Sequence, residues 1–459
     1  MFCIGPGDAD TCFSPPGGRG EEGDKSLSPL EIGILGGIAL LVFMALGLPI
    51  GVSMGAVAVV GLALVTNVEA AFSRLAHTAF SMTANYFTAV IPLFVFMGEL
   101  AFVSGLTREA YSTAYKWFGR LPGGLAMATI GGCAGFAAVC GSSEATALTI
   151  GSVALPEMRK HKYDPRLATG CIAAGGTLGI LIPPSMAFVL YGLITEQSIG
   201  KLFLAGILPG ILLASLFVIT IFIWTKRNPL LGPGGPKTSW RVKITALKDI
   251  WGVMILFLLV MGGIYGGIFT PTEAAAAGAF SAFLIALGRR RLTKQNILTS
   301  LMNTLRTTGM VFVIIIGAVL FGYFMAASGL TTALTEFVVS LPLPPTGILI
   351  FILAFYLILG TAMDEYAMVL ITMPVLFPVI LGLGFDPIWF GVLVVIMMEM
   401  AMVSPPVGMT VFVISGIARD VPMYTVFRGA MVFAAAMALC IAILIAFPQI
   451  ALFLPNAMK

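Results

Sequence analysis

Charged residues are scarce in this sequence. Only 10% of the 459 residues are Asp, Glu, Lys or Arg, whereas 59% are hydrophobic and the mean hydropathy is +1.03. A soluble globule of this length needs far more polar surface to cover its core. The composition therefore excludes a water-soluble fold and places the chain in a lipid bilayer.

Groups that carry hydrolytic or metal chemistry are also few. The two histidines, His77 and His161, are far apart, and no HExxH motif occurs. An intramembrane hydrolase needs a nucleophile with a base, or a metal cluster, so no enzyme activity and no catalytic residue is predicted. The six cysteines form no CxxC pair, and only Cys3 and Cys12 are candidates for a disulfide. No basic run is interleaved with aromatic residues, which argues against a nucleic-acid partner.

Long apolar segments are abundant. One helical crossing of a bilayer needs about 20 apolar residues, and segments of this kind predict an all-α polytopic membrane protein. They lie at 30–48, 50–66, 84–103, 202–224, 251–268, 272–287, 307–327 and 425–447.

The proline positions indicate an internal repeat. Three proline features recur at an offset of 222 residues: Pro49 with Pro271, Pro156 with Pro378, and Pro183-Pro184 with Pro405-Pro406. The tetrapeptide Ser-Gly-Leu-Thr occurs at both 104–107 and 328–331. We interpret the chain as two repeats of about five crossings each. Because five is odd, the second repeat enters the membrane from the opposite side and is inverted.

The repeat divides the chain into segments. Residues 1–28 lack the basic flank and apolar stretch of a cleavable signal and are predicted to be a disordered tail. The predicted segments that follow are a first repeat at 29–226, a cytoplasmic connector at 227–249 with an interfacial helix near 240–250, a second repeat at 250–448, and a C-terminal tail at 449–459.

The basic residues sort onto one predicted face. All 25 Lys and Arg residues except Arg19, Lys25, Arg74, Lys201 and Lys459 fall in segments on one side of the crossings. By the positive-inside rule that side is cytoplasmic. Both termini are then predicted to be periplasmic.

Each repeat contains a predicted re-entrant hairpin followed by a helix that is broken at a Pro pair. The hairpins lie at about 122–160 and 345–383, and the broken helices at about 165–198 and 388–418. Irregular backbone at membrane depth persists only where it is buried in protein or lines a wet cavity. The carbonyls freed by proline, together with the hydroxyls of Ser142, Ser143, Thr146 and Ser185, are oxygen ligands suited to Na⁺, while helix N-termini favour an anion.

Five acidic residues lie at membrane depth, where carboxylates are functional candidates by default. They are Glu99, Glu144, Asp364, Glu365 and Glu399. Glu99 has an alternative place near the cytoplasmic end of its helix, and Glu399 an alternative role as a cap of the broken helix. They either balance a cation or carry a proton.

Two motifs resemble a known family. The stretches GSSEATALTIG at 141–151 and GTLGILIPPS at 176–185 look like signatures of the large membrane subunit of tripartite ATP-independent periplasmic (TRAP) transporters, the DctM type. The resemblance covers residues 30–447. It implies a Na⁺-coupled elevator-type fold, no cofactor other than the coupling ion, and uptake of an organic acid across the bacterial inner membrane.

The resemblance also implies cation sites and partners. One sodium site is expected between the first hairpin tip and the broken helix, at Ser142, Ser143, Gly179, Ile182 and Pro184. The repeat places a second at Gly360, Thr361, Asp364, Ala401, Ser404 and Pro406, and the substrate is expected near Thr146, Ser185, Glu144 and Glu399. The implied partners are a small four-helix membrane subunit (DctQ type) and a periplasmic substrate-binding protein (DctP type).

Two other transport classes are alternatives. A channel fits facing hairpins less well than alternating access does. A stand-alone Na⁺- or H⁺-coupled carboxylate carrier of the divalent-anion or citrate type shares the hairpin arrangement, and only the motifs separate it from the TRAP prediction.

Overall fold

The computed structural model describes residues 27–235, 239–361, 363 and 365–457. Within these residues the chain forms 21 α-helices and one short 3₁₀ turn, Pro229–Leu231, and no strand. The first ten helices are α1 (Pro29–Ala45), α2 (Ile50–Val65), α3 (Val68–Thr83), α4 (Val90–Val103), α5 (Leu106–Phe118), α6 (Gly124–Cys140), α7 (Ser143–Lys160), α8 (Pro165–Leu181), α9 (Met186–Thr195) and α10 (Ile199–Arg227).

The remaining helices repeat this order. They are α11 (Trp240–Ala246), α12 (Trp251–Tyr265), α13 (Pro271–Gly288), α14 (Lys294–Ala327), α15 (Leu330–Ser340), α16 (Pro345–Gly360), α17 (Glu365–Gly382), α18 (Pro387–Met402), α19 (Met409–Ile417), α20 (Met423–Ala446) and α21 (Gln449–Ala457). Helices α12, α17 and α18 begin 222 residues after α1, α7 and α8. The single long helix α14 takes the place of α3 and α4.

The membrane character predicted from composition is confirmed. Among the described residues, α10, α13, α14, α17 and α20 are long and apolar enough to cross a bilayer, and three bent helix pairs raise this number to eight. The pair α8–α9 bends by 42° at the first Pro-Pro break. Apolar side chains also cover much of the outer surface. Phe351 and Ile358 on α16, for example, are 72% and 71% exposed, as expected for a surface that contacts lipid.

Glycines bring helices of the two halves into backbone contact. A Cβ atom on Gly170 of α8 would overlap the backbone of Gly429 on α20, and a Cβ atom on Gly317 of α14 would overlap Gly51 of α2. Apolar helices in lipid gain little from burial and associate through close packing of small residues. These contacts therefore hold the two halves together.

Ion pairs connect the segments that the charge analysis places on one face. Arg289, after α13, makes a bidentate pair with Glu109 of α5 at 2.7 and 2.8 Å. Lys116 pairs with Asp249 at 2.7 Å, and Arg159 pairs with Asp420. The shared face of these segments agrees with the predicted sorting of basic residues.

The ends and the connector differ in detail from the sequence prediction. The interfacial helix in the connector ends at Ala246, and it contacts α5 because the Trp117 indole donates a 3.1 Å hydrogen bond to the Lys243 carbonyl. The stretch predicted as a C-terminal tail contains α21, which packs on α10 and α18. Except for Leu27 and Ser28, the predicted N-terminal tail lies outside the described residues.

Candidate cation and substrate site

The first hairpin turns sharply between α6 and α7. Gly141 ends α6 with φ +70°, a left-handed conformation that glycine adopts without strain. The Ser142 hydroxyl accepts a hydrogen bond from the Ala145 amide and caps α7. Thr146 donates to the Ser142 carbonyl at 2.8 Å. The tip is thus a tight turn with carbonyl and hydroxyl oxygens close together.

The broken helix opens at the first Pro-Pro pair. Helix α8 ends at Leu181, and Ile182 adopts an extended conformation with φ −81° and ψ 120°. Ser185 then caps α9 by accepting from the Phe188 amide at 3.3 Å, and its hydroxyl donates to the Ile180 carbonyl. Pro183 and Pro184 are both buried. The break is therefore enclosed in protein, as irregular backbone in a membrane must be.

The first tip and the first break touch each other. A Cβ atom on Gly179 would overlap the Ser142 carbonyl oxygen, and one on Gly141 would lie 2.7 Å from the Pro184 carbonyl oxygen. The Ser143 hydroxyl is fully buried and donates to the Thr177 carbonyl at 3.4 Å. Four of the five residues predicted for the first site thus meet at one place. The fifth, Ile182, lies at the break and turns its side chain toward α10, where it contacts Gly210.

The donors at this contact fit a sodium ion. Carbonyl and hydroxyl oxygens are the ligands that hard cations prefer, and unwound carbonyls at broken helices bind Na⁺ in transporters. The absence of side chains at Gly141 and Gly179 lets the Pro184 carbonyl approach Gly141 and the Ser142 carbonyl approach Gly179. The first predicted site thus has a suitable donor set.

The second tip and break also touch, but with different chemistry. A Cβ atom on Gly360 would lie 2.6 Å from the Ala401 Cβ. The Thr361 hydroxyl donates to Ile358 and the Ser404 hydroxyl to Met400, each within its own helix, at 2.8 and 2.7 Å. Asp364 lies outside the described residues, so its place in the predicted site stays a prediction.

The second Pro-Pro break also differs in burial. Pro405 and Pro406 are exposed, in contrast to the buried pair of the first half. Since Pro406 belongs to the predicted second site, this side of the site opens at the surface of the chain. The two halves therefore have the same break in the backbone, but the two breaks differ in burial.

The four residues predicted near the substrate have different settings. Thr146 and Ser185 are buried and bound to backbone carbonyls, and Glu144 is half-buried in the first turn of α7. Glu399 is fully buried within α18. Neither of its carboxylate oxygens has a hydrogen-bond partner among the described residues, so it does not cap the helix. Glu99 is half-buried on α4 and accepts a hydrogen bond from Asn303 at 3.2 Å.

Tyr366 joins the two hairpin tips and was not predicted from the sequence. This residue follows Glu365 at the start of α17, and it lies close to the side chains of both Glu365 and Ser142. The only sequence signal is an aromatic residue directly after the acidic pair at the second tip. The tips of the two halves are therefore connected through one side chain.

A cavity of about 860 Å³ is lined by segments of both halves. It is enclosed by the α3–α4 turn, the α9–α10 turn, α14 and α17, and its polar lining includes Asn85, Thr88, Gln197 and Tyr323. The guanidinium of Arg74 lies 4.4 Å from the centre of the Tyr323 ring. This cavity could not be predicted from the sequence, because its walls come from segments that are far apart in the chain.

Comparison with known proteins decides the family. Residues 38–450 match the model of the tripartite ATP-independent periplasmic transporter, DctM component. The chain belongs to the DctM family. A C4-dicarboxylate TRAP transporter large permease protein, DctM of Vibrio cholerae serotype O1, is 33% identical over 442 residues, which cover 91% of this chain and 96% of that protein.

Other relatives extend the comparison. The sialic acid TRAP transporter large permease protein SiaM of Vibrio cholerae serotype O1 is 32% identical over 89% of this chain and 95% of its own length. Among solved structures, the YdaH transporter of Alcanivorax borkumensis superposes with a TM-score of 0.54 at 16% identity, over 81% of this chain and 89% of that one. This likeness shows a shared transporter fold. The DctM-type chain is thus a multi-pass membrane protein from a family of transport permeases.

Proposed function

We propose that this DctM-type chain is the large membrane subunit of a Na⁺-coupled importer for a small organic acid. The observation that carries the proposal is the contact between the first hairpin tip and the first Pro-Pro break. There the Ser142 carbonyl approaches Gly179, and the Pro184 carbonyl approaches Gly141. Membership of the family favours this function over a stand-alone carrier.

Coupling to a cation has an electrostatic reason. Lys and Arg are absent from residues 124–158 and 345–382, which form the hairpins. An anionic substrate held between the tips then depends on bound cations, hydroxyls and helix N-termini for its charge balance. Sodium binding and substrate binding are therefore linked in this proposal.

Inversion of the two repeats is supported by contacts at the hairpin bases. Helix pair α8–α9 starts beside the base of the first hairpin and runs across the molecule. Near its far end, the Tyr191 hydroxyl donates to the Pro387 carbonyl at 2.6 Å, directly after the second hairpin. The base of the first hairpin instead meets the α19–α20 turn through Arg159 and Asp420. Hairpins whose bases lie at opposite faces suit an elevator mechanism, in which both tips move with the substrate.

The partners and the substrate class follow from the relatives. The family description names a component of a tripartite system, so we propose a small DctQ-type membrane subunit and a DctP-type periplasmic binding protein as the other two. The two Vibrio cholerae relatives are named for C4-dicarboxylates and sialic acid, both of which carry carboxylates. We propose that the chain lies in the bacterial inner membrane with both termini in the periplasm.

Reconstitution into proteoliposomes tests this function. Uptake of a labelled C4-dicarboxylate or sialic acid should require a Na⁺ gradient, the binding protein and the small subunit together. Thermal-shift screening of the binding protein against organic acids identifies the ligand to use. Undiminished uptake after omission of either partner, or in choline in place of Na⁺, would contradict the proposal.

A further inference from the structure

Two pairs of residues occupy equivalent places in the two halves. Ser143 opens α7 and Glu365 opens α17, 222 residues later. Thr177 on α8 and Glu399 on α18 are separated by the same offset. In the first half this pair is in contact, because the Ser143 hydroxyl donates to the Thr177 carbonyl. The second half therefore carries two carboxylates where the first site carries two hydroxyl side chains.

The carboxylate of Glu399 lies in a buried, apolar environment. It is fully buried, and both of its oxygens lack a hydrogen-bond partner within the described part of the chain. Helices α17 and α20, which carry Glu365 and Cys440, both pack against α18. Two carboxylates in a region of low dielectric repel each other strongly unless a positive charge lies between them.

The helices around Glu399 supply no such charge at membrane depth. Helix α18 packs against α8, α9, α10, α16, α17, α19, α20 and α21. Their basic residues all lie within two turns of a helix end: Arg166, Lys201, Lys226, Arg227 and Arg428. A buried carboxylate at this depth is typically paired or marks an ion path, and the described part of the chain provides no basic partner.

We propose that the second cation site is a carboxylate site, with Glu365 and Glu399 as its charged ligands, whereas the first site consists of neutral oxygens. This inference rests on the proposed Na⁺ coupling. It changes the donor set expected from the sequence, because it places charged ligands at the site, whereas Thr361 and Ser404 offer neutral hydroxyls that donate to the Ile358 and Met400 carbonyls. Carboxylate oxygens suit a hard cation, and each adds attraction that a neutral oxygen lacks.

The two sites are also linked. The Tyr366 phenol lies close to Glu365 and to Ser142, so a single side chain spans from the carboxylate site to the first tip. A cation that reorients Glu365 acts on Ser142 through this phenol. Occupancy of one site therefore changes the affinity of the other.

Sodium titration of the purified protein tests the inference. Thermal unfolding is measured in detergent against NaCl, with choline chloride keeping the ionic strength constant. The wild-type protein should be stabilised in two concentration ranges. Glu399→Gln should shift one range by roughly tenfold or more, because it removes a buried charge from the ligand set, and should shift the other by less, through the linkage between the sites. Ser143→Ala should have its larger effect on the range that Glu399→Gln shifts less.

Controls separate this inference from the function on which it rests. Glu99→Gln makes the same chemical change on α4, where Asn303 already binds the carboxylate, and should keep both ranges. Glu365→Gln replaces Glu399→Gln if that variant does not fold. No Na⁺-dependent stabilisation of the wild type would overturn sodium coupling itself. Stabilisation that is the same in the wild type and in the folded glutamine variant would overturn only the carboxylate site.

Discussion

The α-carbon of Gly179 lies so close to the carbonyl oxygen of Ser142 that a Cβ atom would overlap it. This contact brings the first broken helix against the first hairpin tip. Because Ser142 has its carbonyl in the tip and its hydroxyl on the cap of α7, any displacement there moves several oxygens at once. The contact therefore sets the geometry of the first cation site.

Gly179→Ala should separate the tip from the break. The added methyl group must displace backbone, which typically costs about 1–3 kcal/mol in a packed interior. We expect at least a roughly tenfold loss of Na⁺-dependent uptake in proteoliposomes. Gly309→Ala is the matched control, because nothing lies within 4 Å of a Cβ atom at that helical position. Equal uptake by the two variants would exclude a role for the close approach.

Ser143→Ala should weaken sodium activation more than it weakens folding. The lost hydroxyl makes one buried hydrogen bond, which is worth about 1 kcal/mol of stability. The Na⁺ concentration for half-maximal uptake should rise by about tenfold. Ser152→Ala makes the same change on the same helix, where the hydroxyl donates to Thr149 instead. An unchanged sodium activation curve for Ser143→Ala would remove this residue from the site.

Tyr366→Phe should uncouple the two hairpin tips. The ring still fills its buried position, but the hydroxyl that lies between Glu365 and Ser142 is lost. We expect slower uptake at saturating Na⁺ and a melting temperature close to that of the wild type. Tyr265→Phe, at an exposed position, controls for loss of a phenol. The linkage idea fails if Tyr366→Phe transports at the wild-type rate.

Asp164→Asn should reveal a pH-dependent cap on α8. Hydrogen bonds from Arg166 hold the pKa of the Asp164 carboxyl below its usual range. Because its pKa is lower in the folded state, the carboxylate contributes stability above the unfolded pKa of about 4. That contribution is lost as the pH falls toward the folded-state pKa. The variant should therefore melt below the wild type at pH 7, and the two curves should converge in acid. A gap that stays constant as the pH falls through the lowered folded-state pKa would point to another cause.

The native cysteines Cys3 and Cys12 report the side of the N-terminus. After treatment with a reductant, which opens a Cys3–Cys12 disulfide, both should react with a membrane-impermeant maleimide from the periplasmic side, because the positive-inside rule places residues 1–28 there. Cys133, Cys171 and Cys440 are buried, whereas Cys140 is half-buried, so a variant with serine at Cys3, Cys12 and Cys140 should not be labelled. In that variant, Lys226→Cys should react only after the inner membrane is opened. The reverse pattern would invert the proposed orientation.

Helix content and the place of the first site could be predicted from the sequence. The thickness of the bilayer sets the length of the apolar segments, and a proline removes a helical hydrogen bond wherever it occurs. Glu399 and Tyr366 are different cases. Their surroundings come from helices distant in sequence, so neither the missing partners of the carboxylate nor the phenol that joins the tips has a local signature. The exposure of Pro406 likewise depends on which helices cover it.

The glycine contacts between α8 and α20, and between α2 and α14, have a mechanical consequence. In each contact one helix belongs to the first half of the sequence and the other to the second, and their backbones touch. Helices of the two sequence halves are therefore packed against each other in two places. Any large motion must follow a boundary that runs through both halves, so the unit of duplication and the unit of movement are different parts of the molecule.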